Sequence, residues 1–484
     1  MVSQVEQSKS YLKTIMIIST FGGLLFGYDT GVVNGALPYM AEPDQLNLTP
    51  LDEGMVASSL LLGATFGSVI GGKVADMQGR RKNIFLLSIL FFLATLGCSL
   101  APNFEIMVFS RFMLGLAVGG ASVTVPAYLA EVSPAEKRGR MVTQNELMIV
   151  TGQFLAFVFN AIIAVVMAGN PHLWRFMLVV AAIPAICLFF GMMKLPESPR
   201  WLVSKGKVSD AMQVLEKIRE TKSRAIAELN DIQDTIASQK SAKPVSFKEL
   251  NTPWIRRIIL IGIGIATFTQ LTGVNSIMYY GSQILTTAGF SRQAALIANT
   301  LNGLTSIIAV CVGIYLMNKI RRRTMLLTGL TGTTTALLLI TIASTALEHS
   351  PLLPYVILSL TVMFLAFMQS CIGPILWLLL PEIIPLRVRG LGLGICVLFH
   401  WITNFIVGLT FPVLLAALGL QSTFLIFVVI GFVSLTFVKL FLPETKGKTL
   451  EQIEEDFRHY DRKKVQSVGT LTDLEVKALN NQIH

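Results

Sequence analysis

The chain has 484 residues, of which 53% are hydrophobic and 14% charged, and its mean hydropathy is +0.64. This composition indicates an integral membrane protein and excludes an ordinary soluble domain. The net charge of +10 could suggest a nucleic-acid partner, but Lys and Arg lie in alternate connections between apolar stretches, as in cytoplasmic loops. The expected partner is therefore a lipid bilayer and not nucleic acid.

Twelve apolar stretches are long enough to cross a bilayer. They cover residues 14–39, 55–75, 83–101, 105–130, 146–168, 174–195, 257–281, 294–317, 324–346, 353–380, 391–417 and 421–442. Basic residues cluster before the first stretch and after each even-numbered one, whereas the opposite connections contain a single basic residue, Arg292. This asymmetry predicts a multi-pass protein of the cell membrane with both termini in the cytoplasm.

Residues 196–256 form the one long polar connection, and a helical stripe of apolar residues runs through its middle. The chain therefore divides into a six-helix bundle (1–195), a cytoplasmic helical linker (196–256), a second six-helix bundle (257–443) and a cytoplasmic tail (444–484). The five cysteines suggest neither a disulfide framework nor a metal site. No nucleophile–base set or phosphate loop indicates an enzyme.

Asp29 lies in the middle of the first apolar stretch. A carboxylate near the centre of a bilayer costs at least about 2.5–3.5 kcal/mol, so the fold must place it in a cavity, pair it or protonate it. One interpretation is a single acid neutralised for packing. We favour a proton-binding carboxylate in a transport pathway, with the proton as coupling ion and no cofactor.

Charged residues recur at corresponding connections of the two halves. In the first half they are Asp76, Arg80, Arg81, Glu131, Arg138, Glu197 and Arg200, and in the second half Arg322, Arg323, Glu382, Arg389 and Glu444. Repeated halves in one orientation are typical of transporters that rock about a central site. The charges therefore predict a cytoplasmic gate whose ion pairs hold the halves closed and break as they separate. The alternative is that these charges only reflect the general excess of Lys and Arg in cytoplasmic loops.

Several motifs carry a family resemblance. They are Gly-Tyr-Asp29-Thr-Gly, Asp76-x-x-Gly-Arg-Arg81, Arg111-Phe, Pro126-Ala-Tyr-Leu-Ala-Glu131, Arg138-Gly, Pro196-Glu-Ser-Pro-Arg200-Trp, Gln270-x-x-Gly-x-Asn275, Gly373-Pro-x-x-Trp377 and Pro443-Glu-Thr-Lys-Gly. With them the chain resembles the sugar porter family of the major facilitator superfamily over roughly residues 10–460, most of all the bacterial myo-inositol–proton symporters. The resemblance implies an all-α fold of twelve transmembrane helices in two pseudo-symmetric bundles, expected as a monomer.

The resemblance also implies that Asp29 pairs with Arg111 on the fourth helix. Facilitators of the family tend to have Asn at the Asp position, so the carboxylate favours proton coupling over passive transport. We expect proton binding to Asp29 to release Arg111 and to let the loaded transporter reorient.

A polyol requires amides, hydroxyls and an aromatic wall. By resemblance, Gln153, Gln270, Asn275 and Tyr279 are sugar ligands, Trp377 is the aromatic wall, and Asn404 is a further member. The alternative is that these polar residues only form hydrogen bonds between neighbouring helices.

Four positions depart from the sugar-transporting pattern. Thr269 and Glu146 replace glutamines, Ser306 replaces an asparagine and His400 replaces an amide. These departures count against a hexose or xylose preference. We still count Glu146, Thr269 and His400 among the expected substrate-binding residues. Glu146 could bind ring hydroxyls as a charged acceptor or take up a second proton, and His400 could also titrate or simply pack. Asn318 and Arg321 replace an acid and a Gly of the loop motif, which predicts weaker gate ion pairs in the second half than in the first.

The leading hypothesis is a proton-coupled symporter that imports myo-inositol or a related polyol. A hexose or pentose symporter and a uniporter are alternatives in the same class. A nutrient sensor without transport is a further alternative, against which the short tail counts.

Overall fold

The computed structural model describes residues 4–134, 138–241, 247–446, 452–455 and 457. All regular secondary structure within these residues is helical, which confirms the predicted all-α class.

Seven helices make up the N-terminal half. They are α1 Gln4–Met40, α2 Pro50–Gln78, α3 Arg80–Ser99, α4 Phe104–Val132, α5 Arg138–Val166, α6 Leu173–Val179 and α7 Ala182–Lys194. α6 and α7 together form one apolar span, Leu173–Lys194, so the seven helices cross a membrane six times.

Three short helices follow α7: α8 Pro199–Ser204, α9 Val208–Ile218 and α10 Lys222–Ser241. We call the end of the bundle that carries them the linker end, and the other the opposite end. A small apolar core joins the three helices, and Arg219 Nη1 donates a hydrogen bond of 2.9 Å to the Val132 carbonyl of α4. The linker helices are thereby docked on the N-terminal half.

The C-terminal half also contains seven helices. They are α11 Pro253–Leu271, α12 Val274–Thr287, α13 Arg292–Lys319, α14 Arg322–Ala346, α15 Leu353–Phe367, α16 Gly373–Ile383 and α17 Arg389–Phe441. α11 and α12 form one span, as do α15 and α16, which a short π-helical turn connects.

Among the described residues, eleven helical segments are long and apolar enough to cross a membrane, whereas the sequence predicts twelve spans. The difference lies in α17. Its 53 residues would extend about 80 Å as one helix, far more than a bilayer core of about 30 Å. Gly419 interrupts it with φ 73°, in the expected connection 418–420, so α17 supplies the last two spans.

Small residues set the distance between neighbouring helices. Gly23, Gly27, Gly31 and Gly35 recur every fourth residue along α1, and each faces α5 so closely that a Cβ atom would overlap with it. α2 and α4 approach each other through glycines in the same way. Small residues at such spacing allow membrane helices to pack backbone to backbone. Between the halves, α2 packs against α17 and α5 against α13.

Candidate functional site

The buried charge of α1 has a partner on α4. Arg111 Nη1 lies 2.8 Å from Asp29 Oδ1, and both residues are about 1% exposed. Arg111 Nε donates to the Val56 carbonyl of α2 at 3.2 Å. The second carboxylate oxygen, Asp29 Oδ2, is buried and makes no hydrogen bond to any described residue. The pair thus joins three helices and leaves one acceptor free.

The break between α11 and α12 brings two predicted ligands together. Gly273 has φ 86°, a left-handed conformation that glycine adopts without steric cost. The chain therefore turns between Gln270 and Asn275, and Asn275 Nδ2 donates to Gln270 Oε1. Thr269, beside this pair, donates its hydroxyl to the Ala266 carbonyl of its own helix at 3.0 Å.

Aromatic rings on α16 and α17 border this amide pair. The rings of Trp377 and His400 are 5.3 Å apart between centroids, and the Trp401 ring lies 5.8 Å from that of His400. His400 is buried, whereas Trp377 is 43% exposed. His400 Nε2 lies 3.1 Å from Gln270 Nε2, so the predicted aromatic wall and the predicted amides form one cluster.

Tyr279 and Asn404 form a second contact within the same half. Their side chains lie close together, and Asn404 Oδ1 has no partner among the described residues. Ser306, which replaces an amide, donates its hydroxyl to the Asn302 carbonyl of its own helix at 2.9 Å. The C-terminal half therefore offers a set of amides, one phenol and one indole.

The N-terminal half contributes two predicted residues, both on α5. Gln153 Nε2 donates to Thr30 Oγ1 of α1 at 3.1 Å, and Gln153 Oε1 is buried without a described partner. Glu146 is half-buried, and its carboxylate pairs with none of the described side chains. Desolvation therefore acts on Glu146 without a compensating charge.

The two halves meet at the opposite end through polar contacts that the sequence reasoning missed. Asn34 of α1 donates to the Met278 carbonyl of α12 at 2.7 Å and accepts from the Ser282 amide at 3.0 Å. Two further pairs cross between the halves nearby, Glu53 with Gln283 and Glu42 with Arg292. The one signal available in the sequence was Asn34 itself, a polar residue inside an apolar span. These contacts join the two halves at the opposite end.

The charged residues of the first half cluster at the linker end. Arg80 pairs with Asp76 at 2.9 Å and with Glu131 at 3.1 Å. Glu197 accepts hydrogen bonds from the backbone amides of Arg80 and Arg81 at 2.9 and 3.0 Å. Arg200 is exposed and lines a cavity of about 160 Å³ together with Arg80 and Glu131. The side chain of Arg138 lies outside the described part of the chain.

The second half repeats this arrangement. Arg322 pairs with Glu382 at 3.5 Å, and Glu444 accepts from the backbone amides of Arg322 and Arg323 at 2.9 and 3.2 Å. Arg389 donates to the Ile384 carbonyl at 3.2 Å. In both clusters, the ion pairs of the described residues join helices of the same half. Gate ion pairs between the halves are not found among the described residues, and the cytoplasmic gate stays a prediction.

The described residues contain no group of three or more His, Cys, Asp or Glu arranged to hold a metal ion. What the site offers is a buried ion pair on one side of a set of amides and aromatic rings. Such a set suits a neutral, hydroxyl-rich molecule.

The fold and this arrangement define a secondary transporter of the major facilitator type. A family model described as sugar (and other) transporter matches residues 15–457, and the chain belongs to this family. The match confirms the sugar porter resemblance and the prediction of a membrane transporter rather than an enzyme.

Relatives cover nearly the whole chain. It is 62% identical to the major myo-inositol transporter IolT of Bacillus subtilis over 93% of this chain and 95% of the relative. It is 34% identical to the galactose-proton symporter of Escherichia coli, with 93% and 95% covered. Among solved structures it is similar to the partially occluded inward-open xylose transporter XylE of Escherichia coli, with a TM-score of 0.79, 27% identity, and 91% and 100% covered.

Proposed function

We propose that this protein imports myo-inositol, or a closely related polyol, together with a proton by alternating access. The observation that carries the proposal is the buried pair of Asp29 and Arg111, in which one carboxylate oxygen has no hydrogen bond. A proton on Asp29 would remove the charge that Arg111 contacts. The contacts joining α1, α2 and α4 would then weaken, which links protonation to the shape of the N-terminal half.

The substrate lies, in this proposal, between α5 and the cluster on α11, α12, α16 and α17. Gln270, Asn275 and Asn404 supply amides, Tyr279 a hydroxyl and Trp377 an exposed ring face for the C–H side of a polyol. The similarity to IolT supports myo-inositol as the substrate. The similarity to the galactose-proton symporter supports coupling to a proton. A hexose or pentose symporter remains the second candidate, because relatives named for such sugars share the fold.

The basic connections support a cytoplasmic position for the linker end and both termini. In this proposal the protein acts as a monomer in the cell membrane. The contacts of Asn34, Glu53 and Arg292 then close the outer side, as in an inward-facing state. The proposed cytoplasmic gate works through two clusters that each stiffen one half. Separate, stiffened halves are the rigid bodies that rocking requires.

Purified protein in liposomes tests the proposal. With an inward-directed proton flow from an imposed pH gradient, labelled myo-inositol should accumulate, and a protonophore should abolish the accumulation. Excess scyllo-inositol should compete more strongly than D-glucose or D-xylose. If myo-inositol neither enters nor competes while D-xylose accumulates, the second candidate replaces the first.

Glu146 should contribute to substrate affinity. Hydrogen bonds to charged groups contribute about 1.5–3 kcal/mol, so we expect Glu146→Gln to raise the KM for myo-inositol about 10- to 100-fold with little change in maximal rate. Glu348→Gln removes the same charge from an exposed turn and should leave the KM unchanged. An unaltered KM in the Glu146 variant, measured by initial uptake rates, would remove Glu146 from the binding site.

A further inference from the structure

We propose that His400 is a positioning residue, which fixes the orientation of the Gln270 side chain and does not itself bind the substrate. The sequence left His400 open as a ligand, a titrating group or a packing residue. The inference rests on the proposed function, because it assigns a role in recognising the same polyol.

The geometry points to an indirect role. The His400 ring lies beside those of Trp377 and Trp401, with centroid distances of 5.3 and 5.8 Å. Its polar atoms are directed at protein groups. Both ring nitrogens lie near the Gln270 amide, at 3.1 and 3.4 Å from Nε2. Among the described side chains, Gln270 is thus the hydrogen-bond partner of His400.

These contacts determine which way the Gln270 amide faces. A neutral imidazole has one nitrogen that carries hydrogen and one acceptor nitrogen, and the amino group of an amide can only donate. The acceptor nitrogen must then face the amino group of Gln270. On the other side, Asn275 donates to Gln270 Oε1. Both neighbours therefore select the same amide orientation.

Gln270 has two N–H donors and two lone pairs on its oxygen. His400 takes one donor and Asn275 takes one lone pair. One N–H and one lone pair of the same amide remain for the substrate. Such a pair suits two adjacent hydroxyls of a cyclic polyol, one accepting and the other donating. Loss of His400 would leave Asn275 as the one neighbour that holds the amide, and the Gln270 side chain could then move out of this arrangement.

His400→Phe and His400→Gln test this role in the liposome uptake assay. Phe keeps an aromatic ring beside the two tryptophans but cannot accept a hydrogen bond from Gln270. We therefore expect the KM for myo-inositol to rise about tenfold, which is equivalent to one lost hydrogen bond. The maximal rate should stay near that of the wild type. His400→Gln restores an acceptor and should recover most of the affinity. If both variants lose maximal rate alike with an unchanged KM, the role is structural and the inference is wrong.

A double-mutant cycle separates positioning from direct binding. If His400 acts through Gln270, His400→Phe should change the KM little when Gln270→Leu is already present. Multiplicative losses would show that His400 contacts the substrate itself, against the inference.

A high-resolution structure of His400→Phe gives a readout that does not depend on transport. The Gln270 side chain should leave its position beside Asn275, and an unmoved side chain would overturn the inference. Failure of wild-type uptake of myo-inositol would instead count against the proposed function, with this structural test still decisive.

Discussion

We expect the Asp29→Asn variant to exchange labelled myo-inositol across liposome membranes but to lose the ability to concentrate it. Asn has the shape of Asp and still offers Arg111 an oxygen acceptor, so the contact between α1 and α4 can persist. It cannot bind and release a proton. With one proton per substrate and no membrane potential, one unit of pH difference supports about tenfold accumulation, and the variant should show none.

The measurement compares uphill uptake with counterflow in the same liposomes. Asp44→Asn is the matched control, because it neutralises an exposed acid in the connection between α1 and α2 and should accumulate substrate like the wild type. Undiminished accumulation by Asp29→Asn would exclude Asp29 as the coupling site. Loss of both uptake and counterflow would instead indicate that the charge of Asp29 is required for the conformational change itself.

The second large effect is expected from Gly27→Ala, two residues before Asp29. A methyl group at Gly27 would overlap with the Ile149 carbonyl oxygen of α5. A carbonyl in the backbone of a helix cannot move aside as a flexible side chain could. Overpacking a dense interior costs typically about 1–3 kcal/mol, and a backbone obstacle places this variant at the upper end. We expect a marked loss of folded protein and a lower melting temperature in detergent. Thermal scans of the purified protein measure the melting temperature.

Gly72→Ala provides the control for this substitution. Gly72 also lies inside a long helix, α2, but the nearest atom to an added Cβ is Val123 Cγ1 at 3.9 Å, which is an ordinary contact. Ala favours a helix over Gly by about 1 kcal/mol, so this variant should be as stable as the wild type or slightly more. Equal melting temperatures for the two variants would contradict the close packing of α1 on α5.

Hydropathy and charge asymmetry were sufficient to predict the membrane class, the spans and their connections, because crossing a bilayer requires length and apolarity that are visible locally. The connection predicted at 418–420 contains Gly419, where α17 is interrupted. Asp29 stood out for the same reason, since a charge inside an apolar span is costly wherever its partner lies. Motif order then indicated the family, which the comparisons confirmed.

Only the tertiary structure decided how the polar residues are paired. Sequence spacing does not reveal that Gln270 faces His400, 130 residues away, or that Asn34 joins α12 at the opposite end. Nor could the sequence show that the ion pairs described in the two charge clusters each join helices of one half. The same motifs are equally compatible with ion pairs between the halves. Composition determines that a helix enters the membrane, whereas the choice of partner depends on which faces meet, and those faces are set by contacts between distant parts of the chain.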